Sequence, residues 1–273
     1  KGSYERTEKI FLWACLIYLT YIASGLMAKP DWGKIADSTI HPQVSFDRNY
    51  IYMVIAIVGS TIAPWMQFFQ QSAIRDKQVD EKNYVYVRWD TYIGTIAMAI
   101  VSFFIIVACA ATLHVQGIKI ESAEQAALAL APLAGKYASI LFGVGLLNAA
   151  IFSTAIIPIS TSYAICESFG WESGMGKSFK EAPVFLGIYT FMIVAGSFIL
   201  MIPGIPLIPI MVLSQALNGI LLPFILIIIM KLINDKRLMG KWTNSLVFNI
   251  LAWITTIVIS ILSVILIVMT FQA

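Results

Sequence analysis

Gly59-Ser60-Thr61-Ile62-Ala63-Pro64-Trp65 sits inside an apolar stretch that opens near Tyr50 and runs to Ile74. Proline has no backbone N–H, and its ring collides with the carbonyl four residues earlier, here that of Ser60. A helix through this stretch is therefore expected to break near 60–65. In hydrocarbon the polar groups so released survive only where they face protein or a water-filled cavity. A helix interrupted at mid-membrane is how many carriers build a solute site, with unwound carbonyls as ligands.

The surrounding chain has the composition such a helix needs. Of its 273 residues 59% are hydrophobic and 12% charged, with a mean hydropathy of +0.83, far more apolar surface than a water-soluble domain of this length uses. The net charge of +3 is scattered over loops with no basic run, which points to a lipid bilayer and away from nucleic acid as the partner. Cys15, Cys109 and Cys166 fall in or at the ends of apolar spans without metal-ligand spacing, and read as small core residues.

Seven spans approach or exceed the roughly 20 residues that cross a bilayer: approximately 10–27, 50–74, 91–113, 137–166, 183–202, 207–232 and 244–270. The expected fold class is all-α integral membrane, with residues 1–273 as one transmembrane domain. Pro203-Gly204-Ile205-Pro206 is a tight turn that makes the fifth and sixth spans antiparallel neighbours. The alanine-rich stretch 121–133 reads either as a short interfacial helix or as an ordinary connecting one. The first residue is Lys and residues 1–9 are polar with both charge signs, unlike a signal peptide or an initiation region, so the chain is expected to be a fragment.

Loop charge orients the spans, because cytoplasmic loops accumulate Lys and Arg. Lys1, Arg6, Lys9, Arg75, Lys77, Lys82, Arg88, Lys177, Lys180, Lys231, Lys236, Arg237 and Lys241 fall on one side, against Lys29, Lys34, Arg48, Lys119 and Lys136 on the other. The residue 1 end is expected in the cytoplasm and residue 273 outside, in the cell membrane.

No Asp, Glu, Lys, Arg or His falls in the middle of a span, so transport chemistry is expected to rest on neutral oxygens. These are the carbonyls freed around Ser60 to Ile62, the hydroxyls of Ser60 and Thr61, and the amides of Gln215 and Asn218, which share one helix face. Gln67, Gln70 and Gln71 follow the break on a common face suited to an aqueous vestibule. Asn148, Ser153 and Thr154 form a polar stripe on the fourth span, which Pro158 is expected to bend. For Ser153, Thr154 and Ser160 to Ser162 the better expectation is bonding to the carbonyl one turn back, or helix–helix glue. His41 and His114 are expected in solvated loops, and Asp90 and Glu167 at exposed span ends. An intramembrane enzyme would need a base beside its nucleophile, and the spans supply none, so the chain is not read as an enzyme.

Gly59 to Pro64, the half-helix running into Gln71-Ser72-Ala73, and the string from Leu213 through Ser214, Gln215, Ala216, Leu217, Asn218, Gly219, Ile220, Leu221, Leu222 and Pro223 to Phe224 resemble the Nramp family of divalent metal transporters. The resemblance covers the whole chain and begins at that family's fifth transmembrane helix, ending at the eleventh. It implies a LeuT-like fold of inverted repeats, with the first span ending repeat one, the next five forming repeat two, and the seventh an extra helix. It makes the Ser60 carbonyl and Gln215 metal ligands, with Thr61 and Asn218 lining the same cavity and Pro64, Trp65, Gln67, Gln70, Gln71 and Asn148 along the pathway. The family's remaining ligands, an acidic residue and an amide, would lie in upstream helices of the same protein.

The departures from the family sharpen the expectation. Its soft thioether ligand before the proline is Ala63 here, and its two histidines are Trp65 and Gln70. A thioether favours transition metals over hard cations, and neither Trp nor Gln titrates near neutral pH. Both losses resemble the Nramp-related magnesium transporter branch, whose oxygen-only site suits partly hydrated Mg²⁺. The expected function is carriage of Mg²⁺ and Mn²⁺ as substrates, with no resident cofactor, by alternating access without proton coupling. The alternatives are a proton-coupled Mn²⁺ and Fe²⁺ carrier and a Na⁺-coupled carrier of organic solutes on the same fold.

Overall fold

The computed structural model describes residues 13–120 and 122–271. These form helices joined by turns, without a strand among the described residues. A 3₁₀ turn over Cys15–Tyr18 leads into α1, Leu19–Met27. Then come α2 (Trp32–Ile40), α3 (Arg48–Thr61), α4 (Pro64–Asp76) and α5 (Tyr84–Cys109), the last prolonged by a π-helical turn over Ala110–His114. Short α6 (Ala123–Ala127) and α7 (Ala131–Ala134) precede α8, Ala138–Phe169. The chain closes with α9 (Pro183–Leu200), α10 (Leu207–Asn234), α11 (Lys236–Met239) and α12 (Leu246–Phe271). Six helical stretches among the described residues are long and apolar enough to cross a membrane, α3 with α4 counting as one, while Cys15–Met27 is shorter. The protein is an all-α integral membrane protein.

Local chemistry sets the helix ends. Asp31 and Asp47 cap α2 and α3, accepting from the Lys34 and Asn49 amides at 3.1 and 3.0 Å. The loop helix α2 has no counterpart in the hydropathy pattern, being only nine residues long. Ser122 and Gln125 form a reciprocal capping box on α6. The third span starts at Tyr84, earlier than 91, because Asp80 accepts from Asn83 N–H at 3.2 Å and seeds the turn leading into α5. Pro158 and Pro223 lie within α8 and α10, and both helices continue through them. Gly170, at φ +70°, ends α8, and Trp171 N–H bonds the Cys166 carbonyl at 2.8 Å, which turns the chain back over the helix end.

Two compact units emerge. One comprises residues 1–43 and 72–199. In it α1 packs along α5, the Ser24 hydroxyl donates to the Ala129 carbonyl at 2.8 Å, and Ala108, Leu113 and Ala129 form a small core. The other comprises residues 44–71 and 200–273. Here α3 crosses α10, and both meet α12 around Ile51, Ile55 and Leu266.

Candidate functional site

Within the second unit the helix break falls between α3 and α4. Backbone bonding ends with Ile62 N–H on the Val58 carbonyl at 2.9 Å and resumes with Met66 N–H on the Ala63 carbonyl at 3.1 Å. Ile62 has left helical geometry, at φ −124° and ψ 74°. The residue that would donate to the Ser60 carbonyl in a continuous helix is Pro64, which cannot. Ala63, 2% exposed, and Pro64 are buried in the joint.

The last turns of α3 before the break stand against one turn of α10. A Cβ on Gly59 would lie 2.0 Å from the Gln215 carbonyl oxygen and 2.5 Å from the Gly219 nitrogen, and one on Gly219 would lie 2.4 Å from the Ile55 carbonyl oxygen. Two glycines thus bring the backbones into direct contact, the small-residue packing that membrane helices favour. Ser60 and Thr61, which follow Gly59, are exposed. Asn218 Nδ2 donates to Gln215 Oε1 at 3.2 Å, with both side chains half-buried. That bond orients the pair and leaves Oε1 a second lone pair for a cation or water.

The hydroxyls differ from expectation in one respect. Ser60 Oγ and Thr61 Oγ1 each donate to the Ile57 carbonyl at 2.8 Å, so their protons are committed to their own helix. Their oxygen lone pairs stay available, and a cation ligand needs only those. Further along α4, Trp65 and Gln67 are half-buried, and Gln70 and Gln71 are exposed.

Asn148 lies in the other unit, where its amide donates to the Ala14 carbonyl at 3.2 Å and serves as glue between chain segments. Thr161 and Ser162 bond the carbonyls of Ile157 and Pro158 one turn back, and Ser153 and Thr154 are exposed. His41, His114 and Asp90 are exposed. An open groove of about 360 Å³ between α3 and α12, lined by Ile57, Val58, Thr61, Ile62, Ile254, Thr255, Val258 and Ile259, offers a hard cation almost no oxygen. Among the described residues no group of three His, Cys, Asp or Glu side chains is placed to hold a metal ion.

Sequence reasoning missed a polar cluster in the first unit. Glu167, expected to be exposed, has a side chain only 26% exposed and faces Arg75 Nη2 at 3.5 Å. The turn at Gly170 folds the loop over it, and Arg75 Nη2 also reaches Ser173 Oγ at 3.4 Å. Beside them the fully buried Tyr163 donates to Asp76 Oδ2. The signal was the spacing of Tyr163 and Glu167, four apart on one helix face.

The family model described as natural resistance-associated macrophage protein-like matches residues 1–269. The chain belongs to the Nramp family. Relatives include the divalent metal cation transporters MntH of Vibrio campbellii, 24% identical over 233 residues, which are 84% of this chain and 52% of that protein, and of Clostridium acetobutylicum, 23% identical over 262 residues, 94% and 58%. MntH of Nostoc is 26% identical over 275 residues, covering 95% of this chain and 60% of the relative. The chain thus spans half to three fifths of the length of these Nramp relatives. The Nramp fold is the LeuT-like one.

Proposed function

We propose that this chain supplies half of the midplane site of a divalent-cation carrier that moves Mg²⁺, and Mn²⁺ with it, by alternating access without proton coupling. One observation carries the reading: the backbone opens at Ile62–Ala63, just beyond the Gly59 contact with the turn of α10 that bears the Gln215–Asn218 amide pair, and the position adjoining Pro64 is an alanine. The Ser60 carbonyl and the Gln215 amide oxygen are hard ligands suited to Mg²⁺, which keeps part of its water shell and needs room for it, whereas Thr61 lines the groove toward α12. Ala63 supplies neither a soft donor nor bulk. The remaining ligands would come from upstream helices, and the Lys- and Arg-rich loops would face the cytoplasm, with the residue 1 end cytoplasmic and the residue 273 end extracellular.

A second reading is a proton-coupled Mn²⁺ and Fe²⁺ carrier, favoured by the relatives' description as divalent metal cation transporters MntH. Ala63→Met separates the two. In competition uptake by the intact protein, the added thioether raises the preference for Mn²⁺ over Mg²⁺ if the oxygen-only reading is right. Unchanged competition between the two ions counts against it.

A further inference from the structure

The end of α4 is fastened at a point the transport chemistry does not use. Asp76, its last residue, receives two donors on one oxygen: the Tyr163 hydroxyl from α8, and the Met175 backbone N–H at 3.2 Å from the loop beyond. The same Met175 N–H lies 2.9 Å from the Tyr163 oxygen, closing a three-membered network. Tyr163 is fully buried, and its ring meets Phe185 edge-on at 4.7 Å, so the hydroxyl is held from behind by packing. One residue earlier, Arg75 spans Glu167 and Ser173. Two successive residues of α4 are therefore tied to α8 and its following loop. At its other end α4 begins at the broken backbone of Ile62–Ala63.

We propose that Tyr163 and Glu167 are positioning residues that clamp the last turn of α4, and that release of this clamp frees the half-helix to pivot at Ile62–Ala63 during the transport cycle. A helix of 13 residues is a rod of about 20 Å, so a small rotation at the break moves its far end by several ångströms. Packed elements of this kind switch between discrete positions and do not bend continuously. Charge-assisted bonds such as those on Asp76 have the strength to bias such a switch, and they are weak enough to break in each cycle. This rests on the alternating-access reading above.

The test uses the intact protein in liposomes without divalent ion, with a cysteine introduced at Met66, exposed on α4, and its alkylation by a soluble maleimide measured over the background of Cys15, Cys109 and Cys166. Tyr163→Phe keeps the buried ring and removes only the hydroxyl. It is expected to change the alkylation rate about tenfold, the size of a lost hydrogen bond to a charged group, and Asp76→Asn less, since an amide oxygen still accepts. Combining Asp76→Ala with Tyr163→Phe should add little to either alone, because both open one clamp. In Mn²⁺ uptake the same variants should alter kcat and leave KM in place. A Tyr163→Phe rate equal to that of the parent, or full additivity of the pair, overturns the clamp. If the alkylation changes appear and no divalent ion is carried, the clamp stands and the proposed substrate falls.

Discussion

Replacing Gly219 by alanine should force α3 and α10 apart. The new Cβ would lie 2.4 Å from the Ile55 carbonyl oxygen and 2.6 Å from its Cγ2, where ordinary contact starts at 3.4 Å. The nearer atom is backbone and cannot swing away, so the helices must separate by about 1 Å at their closest point, losing dispersion contacts along the seam. Overpacking of this kind costs about 1–3 kcal/mol, a fall of several degrees in the melting temperature of the detergent-purified protein. Gly187, on α9, is the internal control: a Cβ there meets nothing within 4 Å, and alanine should be neutral or raise stability by about 0.5–1 kcal/mol through the unfolded chain. Gly59→Ala, which would meet the Gln215 oxygen at 2.0 Å, should be at least as damaging as Gly219→Ala. The double variant should cost less than the sum, since one separation relieves both contacts. Gly219→Ala melting at the same temperature as Gly187→Ala would refute the close crossing of α3 and α10.

Gln215→Ala removes a proposed ligand and strips Asn218 of its partner. At roughly 1–3 kcal/mol for a lost polar partner, Mn²⁺ uptake should fall by about five- to a hundredfold, and Gln215→Glu, which keeps the oxygen, should retain more. Asn234 and Asn249 exchange amide bonds at 2.9 and 2.7 Å between α10 and α12, so Asn249→Leu should destabilise by about 1 kcal/mol, measured as a melting shift that Asn234→Leu does not enlarge. In the loop before α9, Lys177 holds the Glu172 carboxyl below its usual range, and the Ser178 amide and hydroxyl do the same for Glu181. Carboxyls depressed in the folded state stabilise it above their unfolded pKa and lose that contribution as pH falls through the folded value. Hydrogen exchange in residues 171–182 should therefore quicken, relative to α10, only below about pH 4.

The membrane class and the position of the helix break were legible in sequence because both depend on local chemistry. Hydropathy sets a span, and Pro64 removes one named hydrogen bond. The facing of Gln215 and Asn218 followed from helix periodicity. The contact that seats α3 against α10 did not, since nothing local to Gly59 announces Gly219 as its partner 160 residues on. The direction of the Ser60 and Thr61 hydroxyls was equally hidden: both could serve a site or cap their own turn, and the geometry puts their protons on Ile57. Glu167 was misread for a related reason. Its place at a span end suggests solvent, but its burial depends on Gly170 folding a loop over it and on an arginine from residue 75. Asn148 shows that a polar residue at membrane depth can be used up in holding a distant segment, here the carbonyl of Ala14.

Uptake by the intact protein in proteoliposomes, with Mg²⁺ and Mn²⁺ supplied in turn and a pH-sensitive dye inside, is the decisive measurement. Mg²⁺ entry without internal acidification is the result predicted by an oxygen-lined site that has Ala63, Trp65 and Gln70 where a thioether and two histidines would stand. Entry of Mn²⁺ that excludes Mg²⁺ and carries protons inward would contradict it.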